Sequence, residues 1–559
     1  NLTLNNYLFE SYVSDLIEIN FTVTNISLAN INLHNMSLSL ICEDLSYESN
    51  MDSVFFETFT SSSTIEESFI LSLNNNDLGN YSCHILLESD EYTNQYSFNI
   101  SINLFQQGFP FDTNSQVDSS PLAVDLDGNG SLEIIFGDYA GLIHVLTIDG
   151  QNWNTDIFPY DTGDQIWSSP AAADIDLDGY LDFVISSKNK NLYAFDQNGI
   201  KFIYDAEQFL IGTPSIGNID FDEELEVVIG GYESSGDIFA VNHDGSTVAG
   251  FPFEVNDKIK SASLCDFNNN NLDDIVITTD GDDIIAIIYD GLSMETLLTA
   301  DNKFKSSPSI IKINDDYIIM AGSYDDNMYA VSHNGENIFN IEANDNVDSS
   351  VSFVDIDGDG TPYAFFGSDD GFLYAVNMTG EALPGWPVNI GDDINNSVSF
   401  ADLDGDGAPE AIIGVLGNLY AYHMDGSLYD KFPISYEFPF TSNPLILDLD
   451  GDNDLEILLG TSGSLVSIDI MEQGILDSYW NQDRANNKKT GYYELNSTDC
   501  ENFIYGDVNC DAEVSILDII MLVDIIITSS DYDLTADINI DGIINVIDII
   551  SIINTIIAD

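Results

Sequence analysis

The chain has 559 residues and a formal charge of −84, from 96 Asp and Glu against 12 Lys and Arg; at about 100–200 residues per domain, roughly three to five domains are expected. That balance excludes a nucleic-acid binder and a protein that adheres to anionic membranes, because no basic surface is available to meet phosphates. A hydrophobic fraction of 44% and an aromatic fraction of 11% belong to a folded chain and not to an acidic disordered one.

The first basic residue is Lys188, the last is Lys489, and Arg484 is the single arginine. A cationic clamp is therefore excluded from the first third of the chain and from its C-terminal end. No run of 18 apolar residues occurs, since the Ile-rich stretch after Ile516 is broken by Asp518 and Asp524, so no membrane insertion is predicted. A start at Asn1 suggests a removed leader. Ten Asn-x-Ser/Thr sequons, six of them in the first hundred residues, make glycosylation an expectation in an Asn-rich chain where many arise by chance.

Residues 1–104 alternate apolar and polar side chains over several runs, as in 17–27 and 96–105, with no helical period. This predicts a β-sandwich. The segment Asp77-Leu78-Gly79-Asn80-Tyr81-Ser82-Cys83 resembles the tyrosine corner of immunoglobulin-like domains, with Tyr two residues before a strand cysteine. The resemblance implies an inter-sheet disulfide between Cys42 and Cys83, which favours an extracellular location. No Trp precedes Trp153, so the domain is expected to be immunoglobulin-like and not an immunoglobulin proper.

A repeat organises the middle of the chain. The element beginning Ser119-Ser120-Pro121 returns at 168, 212, 261, 306, 349, 396 and 442. Each copy reads as short apolar strands broken by Gly, Asn and Asp turns, the period of a four-stranded propeller blade. Eight blades are predicted, with seven the nearest alternative. Most copies finish on an aromatic–Pro step, such as Phe158-Pro159 and Trp386-Pro387. Phe109-Pro110 stands before the first full copy, so a strand near 105–112 is expected to complete the last blade and remove its open edge.

Between two apolar strands, seven copies carry an acidic loop with oxygen side chains at positions 1, 3 and 5, and usually 9. These are Asp125, Asp127, Asn129 and Glu133; Asp174, Asp176, Asp178 and Asp182; Asn218, Asp220, Asp222 and Glu226. There follow Asp266, Asn268, Asn270 and Asp274; Asp355, Asp357 and Asp359; Asp402, Asp404, Asp406 and Glu410; and Asp448, Asp450, Asp452 and Glu456. Alternate oxygens in a tight loop suit calcium, which takes six to eight ligands at about 2.3–2.6 Å; magnesium demands a stricter octahedron. The loop at 266 is expected to bind more weakly, the loop at 355 ends in Tyr363, and the fifth copy, from Lys312, has lost the pattern. A solvated acidic turn explains one such loop as well as calcium does, but not seven in register. The loops resemble the FG-GAP/VCBS repeats of integrin α-chain propellers, over about 105–496, and the resemblance implies up to seven structural calcium ions.

In the tail, 507–518 and 537–548 place oxygen ligands at positions 1, 3, 5, 9 and 12: Asp507, Asn509, Asp511, Ser515 and Asp518, then Asp537, Asn539, Asp541, Asn545 and Asp548. This is EF-hand ligand spacing with Asp at position 12, and each loop leads into an Ile-rich helical segment. Gly542 keeps the sharp turn in the second loop where the first has Ala512. Two such loops in tandem resemble a type I dockerin, over about 500–559, which implies two calcium ions and a cohesin-like protein partner. Where the family often carries hydroxyl residues after position 9, this chain has Ile516-Leu517 and Val546-Ile547, which points to a more apolar partner. The bland alternative is a calcium-stapled helical pair that caps the propeller. Cys500 and Cys510 are candidates for a second disulfide; Cys265 reads as a small buried residue.

Catalytic signals are sparse. His243, His333 and His423 recur at the same hairpin turn in three copies, which marks architecture, and no nucleophile elbow, zinc helix or phosphate-binding glycine loop is present. The expected organisation is mainly β: a sandwich at 1–104, a calcium-binding propeller at 105–496 and a small α-helical dockerin-like module at 497–559. The expected function is that of a secreted, non-catalytic, calcium-stabilised adhesion or scaffold protein. It would dock through its tail on a cohesin-like domain, or on another copy of the same chain to build head-to-tail filaments. The alternative is a polysaccharide-binding or polysaccharide lyase component of a cellulosome-like complex, with a glycan as ligand.

Overall fold

A computed structural model of the chain describes residues 2–4, 8–11, 16–26, 31–43, 45–73, 79–102, 104–222, 224–288, 292–313, 316–358, 360–476 and 479–495. In the C-terminal segment it describes 514, 519, 522, 523, 526, 536, 544, 548, 549 and 551–553. The described residues are mainly β and fall into two compact units, Asn1–Pro110 with Ser467–Met471, and Phe111–Val466 with Glu472–Asp559.

The first unit has two sheets. One orders the strands Leu2–Leu4, Leu16–Thr24, Thr64–Leu73 and Tyr47–Ser49; the other orders Leu8–Ser11, Thr93–Ile102, Gly79–Glu88, Leu33–Cys42 and Ser53–Phe59. Leu8–Ser11 runs parallel to its neighbour and the other pairs are antiparallel. The alternation read from sequence places Ile17, Ile19, Phe21 and Val23 on one buried face, where they share a core with Met36, Leu38 and Ile85 of the other sheet. Phe21 stacks on Phe69 with centroids 5.5 Å apart.

The Cys42–Cys83 disulfide is formed, but it does not join the two sheets. Leu33–Cys42 and Gly79–Glu88 are neighbours in the five-stranded sheet, and their register sets Cys42 directly opposite Cys83. The expectation of an inter-sheet bond is thus corrected: strand pairing had already brought the two thiols together. Asn25, a sequon asparagine, is buried and its amide donates to the carbonyls of Ile31 and Phe59, which closes that sequon in the folded chain.

The second unit contains eight small sheets among the described residues, an arrangement compatible with a propeller. The first consists of Leu122–Val124, Glu133–Gly137, Leu142–Thr147 and Tyr160–Asp161, in that order and antiparallel. The next six repeat the plan. In the eighth, Leu445–Leu447, Asp454–Gly460 and Ser464–Gln473 are joined by Phe111–Asp112 from the start of the unit, which pairs with Leu465 and Ser464. Second strands such as Glu133–Gly137 and Asp182–Ser186 are buried along their whole length. They are apolar without alternation because sheets pack against both of their faces.

Two features lock each sheet to the next. Second strands commonly end in glycine, and a Cβ on Gly367 would collide with Ile394 of the following connection. A Cβ on Gly460 of the eighth sheet would collide with Val117, which precedes the first. The Ser-Ser doublets, with Thr213, Ser397 and Asn443 at the equivalent place in other copies, supply the second lock. Ser120 N–H donates to Ser169 Oγ (3.1 Å), Ser169 N–H to Thr213 Oγ1 (3.1 Å), Ser307 N–H to Ser350 Oγ (2.8 Å) and Ser397 N–H to Asn443 Oδ1 (2.7 Å). Asn443 N–H then donates to Ser120 Oγ at 3.1 Å, linking the eighth sheet back to the first.

The aromatic–Pro steps precede two-residue outer strands, at Phe111–Asp112, Tyr160–Asp161, Phe253–Glu254, Val388–Asn389 and Ile434–Ser435. Sheets without the step carry longer outer strands, such as Gly199–Asp205 and Ser293–Thr299. Proline cannot donate to a ladder, so it belongs where pairing is only about to begin.

After the last sheet the chain returns to the first strands of the others. Phe400 N–H donates to Trp480 O, Ile446 to Asn481 O, Ala172 to Asn487 O, Ile216 to Lys488 O and Leu264 to Thr490 O, and Tyr492–Glu494 pairs in parallel with Ser309–Ile313. This segment buries Arg484 and Lys489 completely or nearly so. Lys489 Nζ donates to Gln482 Oε1 (2.9 Å) and Asp483 O (3.1 Å), and Arg484 Nε to Lys489 O (2.9 Å). Burial holds the Lys489 ammonium down to about 8 and the Arg484 guanidinium down to about 10. In the C-terminal segment Leu522, Ala536 and Ile552 are buried together, with Val514, Ile519, Ile526, Ile544 and Ile549 packed around them.

Candidate metal centres

The acidic loops connect first to second strands, so all lie at the same end of their sheets. Within them the structure brings positions 1, 3 and 9 together in four loops and positions 3, 5 and 9 in the third. Carboxylate oxygens lie within 4.8 Å of one another in the sets Asp125–Asp127–Glu133, Asp174–Asp176–Asp182, Asp220–Asp222–Glu226, Asp402–Asp404–Glu410 and Asp448–Asp450–Glu456.

Backbone hydrogen bonds impose this convergence. Position 1 accepts N–H groups of the turn, as Asp125 does from Gly128 (2.8 Å) and Gly130 (2.8 Å) and Asp402 from Asp406 (3.1 Å) and Gly407 (2.8 Å). Position 9 opens the second strand and turns one oxygen onto the N–H of position 2. Glu133 accepts from Leu126 (2.9 Å), Glu226 from Ile219 (2.7 Å), Glu410 from Leu403 (2.9 Å) and Glu456 from Leu449 (2.5 Å). Position 5 gives one oxygen to the N–H of position 7, as Asn129 does to Ser131 (2.7 Å), Asp178 to Tyr180 (2.9 Å), Asp406 to Ala408 (2.9 Å) and Asp452 to Asp454 (3.1 Å). The role of position 9 is thus double, as latch and as ligand candidate, and its burial explains why an acid recurs there.

Burial pushes the carboxyls of Glu133, Glu226 and Glu410 up to about 7, and that of Asp182 up to about 6. Glu226 Oε1 is buried without a hydrogen-bond partner. Three carboxylates converging on an all-oxygen pocket with one such oxygen suit a hard cation, which would neutralise them and complete that oxygen's shell.

The loops are not equivalent. In the second, Lys201 from the outer strand reaches in, its Nζ 2.6 Å from Asp176 Oδ2 and 2.7 Å from Asp182 Oδ2, with 14% of its side chain exposed. An ammonium already compensates that cluster. In the seventh sheet His423 Nδ1 meets Glu410 Oε1 at 2.9 Å. In the third, Asn218 is drawn away, its amide donating to Asn271 O at 3.0 Å. In the fourth, Asp266 accepts from Asn268, Asn270 and Asn271, Asp274 accepts from Phe267, and Asn270 caps Leu272. In the sixth, Asp355 accepts from Gly360 at 2.7 Å and Asp357 lies in the same turn, while Asp359 lies outside the described residues. The fifth copy closes as a tight hairpin with Ile313 opposite Asp316.

Of the tail ligands only Asp548 is described; it is buried in a helical stretch. Asp507, Asn509, Asp511, Ser515, Asp518, Asp537, Asn539, Asp541 and Asn545 lie outside the described residues, as do Cys500 and Cys510. Residues 505–557 match the dockerin type I domain. No curated protein matches the chain. Solved structures similar to it include the rhamnogalacturonan lyase YesW, at 12% identity over 87% of this chain and 96% of that one, with a TM-score of 0.47. They also include the V. cholerae biofilm matrix protein Bap1, at 13% identity over 69% and 95% with a TM-score of 0.39. Saccharomyces cerevisiae Sqt1 aligns at 10% identity over 66% and 99% with a TM-score of 0.48. At scores this low the likeness extends to no activity.

Two features went unread in the sequence. The Ser-Ser doublets opening four of the eight copies were visible as repetition, but their inter-sheet bonding was not. The return of 480–494 along the first strands had one signal, the Arg484–Lys489 cluster of cations beside Trp480 in an otherwise acidic chain. Cys265 is buried as expected, and burial pushes its thiol well above the usual range, which is the opposite of what a nucleophile needs.

Proposed function

We propose that this chain is a secreted, calcium-stabilised docking protein without catalytic function, whose dockerin segment attaches its β units to a cohesin partner. The match of 505–557 to the dockerin type I domain carries this reading. The Cys42–Cys83 disulfide is in keeping with an oxidising, extracellular setting. Among the described residues no helix is long and apolar enough to cross a membrane.

In this reading residues 1–104 form an immunoglobulin-like sandwich, supported by the two-sheet strand order and the parallel first edge of the five-stranded sheet. Residues 105–496 form an eight-bladed FG-GAP/VCBS-type propeller, supported by the return of the last sheet to the first. Calcium binds at positions 1, 3 and 5, and usually 9, of the acidic loops and in the two tail loops. The Ile516-Leu517 and Val546-Ile547 pairs favour an apolar cohesin surface, or a second copy of this chain, which would extend as a filament.

The test is titration of the full chain with a panel of type I cohesins, by calorimetry in millimolar calcium and again in chelator, with light scattering on the chain alone. Calcium-dependent one-to-one binding supports cohesin docking, and calcium-dependent growth of the chain alone supports self-assembly. A chain that stays monomeric and binds no cohesin refutes the docking reading.

A further inference from the structure

The second of the eight sheets stands apart from its companions. It consists of Ala171–Ala173, Asp182–Ser186, Asn191–Asp196 and Gly199–Asp205. Its segment, 168–205, carries six carboxylates against three lysines, the smallest net charge of the eight. The flanking segments 119–161 and 212–254 carry seven and nine carboxylates and no lysine or arginine. One of the three lysines, Lys201, already compensates the acidic loop of its own sheet.

The same sheet exposes the most apolar surface. Leu177 is 54% exposed, Ile203 47%, Ile200 45% and Tyr180 43%, and among the described residues no other of the eight sheets exposes more than two large apolar side chains.

Backbone geometry explains the exposure. Gly199–Asp205 is seven residues long, whereas the outer strand of the first sheet, Tyr160–Asp161, has two. A bulge between Ala194 and Phe195 sets Ile200 opposite Phe195 and Ile203 opposite Tyr193, so both isoleucines lie on one face. Further in, that face packs on the first sheet, where Tyr193 and Phe195 share a core with Leu122 and Phe158. Further out the short strand has ended, and the isoleucines are left uncovered. Tyr180 stands at the same junction, its ring 3.3 Å from the place a Cβ on Gly128 of the first acidic loop would take. Leu177 is held at φ 58°, a conformation disfavoured for a bulky side chain, where Gly128, Gly358, Gly405 and Gly451 occupy the same place in four other loops. The fold itself gives no reason for an exposed leucine where glycine relaxes the turn.

Charge decides the occupant. A basic partner would find a stronger field on every other sheet, so a sheet depleted of carboxylates suits a partner that is itself acidic. A second copy of this chain is such a partner. We propose that two copies pair through their second sheets about a two-fold axis, burying Leu177, Tyr180, Ile200 and Ile203 of each. Gly199–Asp205 is the edge of its sheet, no aromatic–Pro step shortens it and its lysine is turned into the acidic loop, so its outer side is open to the same strand of the second copy. Such a contact is isologous and closes at two. It uses no part of the dockerin segment and stands independently of cohesin docking. Two chains at −84 repel wherever they meet, so the pair tightens as salt screens them.

The experiment is sedimentation velocity of the full chain in millimolar calcium, over a concentration series at low and at high salt. A monomer–dimer equilibrium that stops at two and tightens with salt is expected. Ile203→Asp should weaken pairing by about tenfold or more with an unchanged melting temperature, because it sets a charge in the contact of each copy. Leu177→Gly should weaken it several-fold while the melting temperature holds or rises, which keeps the test decisive if Ile203→Asp fails to fold. Ile338→Asp, at an exposed isoleucine on the outer strand Asn337–Glu342 of the fifth sheet, should leave pairing unchanged. A monomer at every concentration, growth past two that Ile203→Asp leaves intact, a pair that loosens with salt, or variants that pair like the parent would each overturn the proposal.

Discussion

The two ends of the eight sheets are built from the same repeat and have different characters. At one end, several loops of nine residues gather three carboxylates each, held by backbone N–H groups and by an acid latched at the head of the second strand. At the other, tighter hairpins and connections gather lysines against aromatic rings. Both ends are acidic, as the whole-chain charge of −84 requires, but at the second end carboxylates such as Asp280 and Glu233 are paired with lysines instead of with one another. Where charge sits decides what a surface attracts, since exposed charges beyond about 8–10 Å are screened at physiological salt.

The largest expected way to break the contrast is to remove calcium. Each site held at a hundredfold over its Kd contributes about 2.7 kcal/mol. Several sites emptied together should lower the melting temperature of the second unit by more than about 10 °C, read by differential scanning fluorimetry in chelator against millimolar calcium. An unchanged melting temperature would mean the loops are solvated turns.

Gly367→Ala probes the sheet-to-sheet lock without touching either end. Its Cβ would overlap Ile394, and overpacking of this kind costs about 1–3 kcal/mol. The expected readout is a lower denaturation midpoint with calcium stoichiometry unchanged.

A smaller effect follows from the buried acids. Folding without metal lifts the carboxyls of Glu133, Glu226 and Glu410 from 4.5 to about 7, so the folded state holds protons that the unfolded state releases. Their contribution is fully present below about 4.5 and is lost as pH rises through about 7. In chelator the melting temperature should therefore fall between about pH 5 and pH 8; in calcium, which needs the deprotonated ligands, that slope should flatten or reverse.

Finest in resolution is Lys201→Met. The ammonium between Asp176 and Asp182 already supplies a cation to the second loop, so its removal should raise the calcium count by one, measured by elemental analysis of the desalted protein, with little change in melting temperature. An unchanged count would show that lysine and calcium do not compete there.

Much of the fold was legible because its signals are local. Gly, Asn and Asp at fixed places in a repeated strand pattern announce small hairpin sheets, and an aromatic–Pro step marks where an outer strand starts late. The convergence of positions 1 and 3 follows from alternate residues of one turn. Less legible was anything that depends on a partner distant in sequence. Lys201 lies 25 residues after Asp176 and carries no mark distinguishing it from a solvated lysine. Cys42 and Cys83 were readable as a pair but not as strand neighbours, because spacing does not say which strands adjoin.

By itself, then, the amino-acid sequence determined the repeat, the loop chemistry, the strand character and the dockerin segment, all of which rest on backbone preferences and oxygen ligands within a dozen residues of one another. Tertiary structure alone decided the rest. It joined Asn443 to Ser120, laid 480–494 along the first strands and buried Arg484 and Lys489 among carbonyl and side-chain oxygens. It also collected lysines from separate sheets onto one end. These are consequences of closing a chain on itself, where residues hundreds apart become neighbours and a charge is set by what packs beside it.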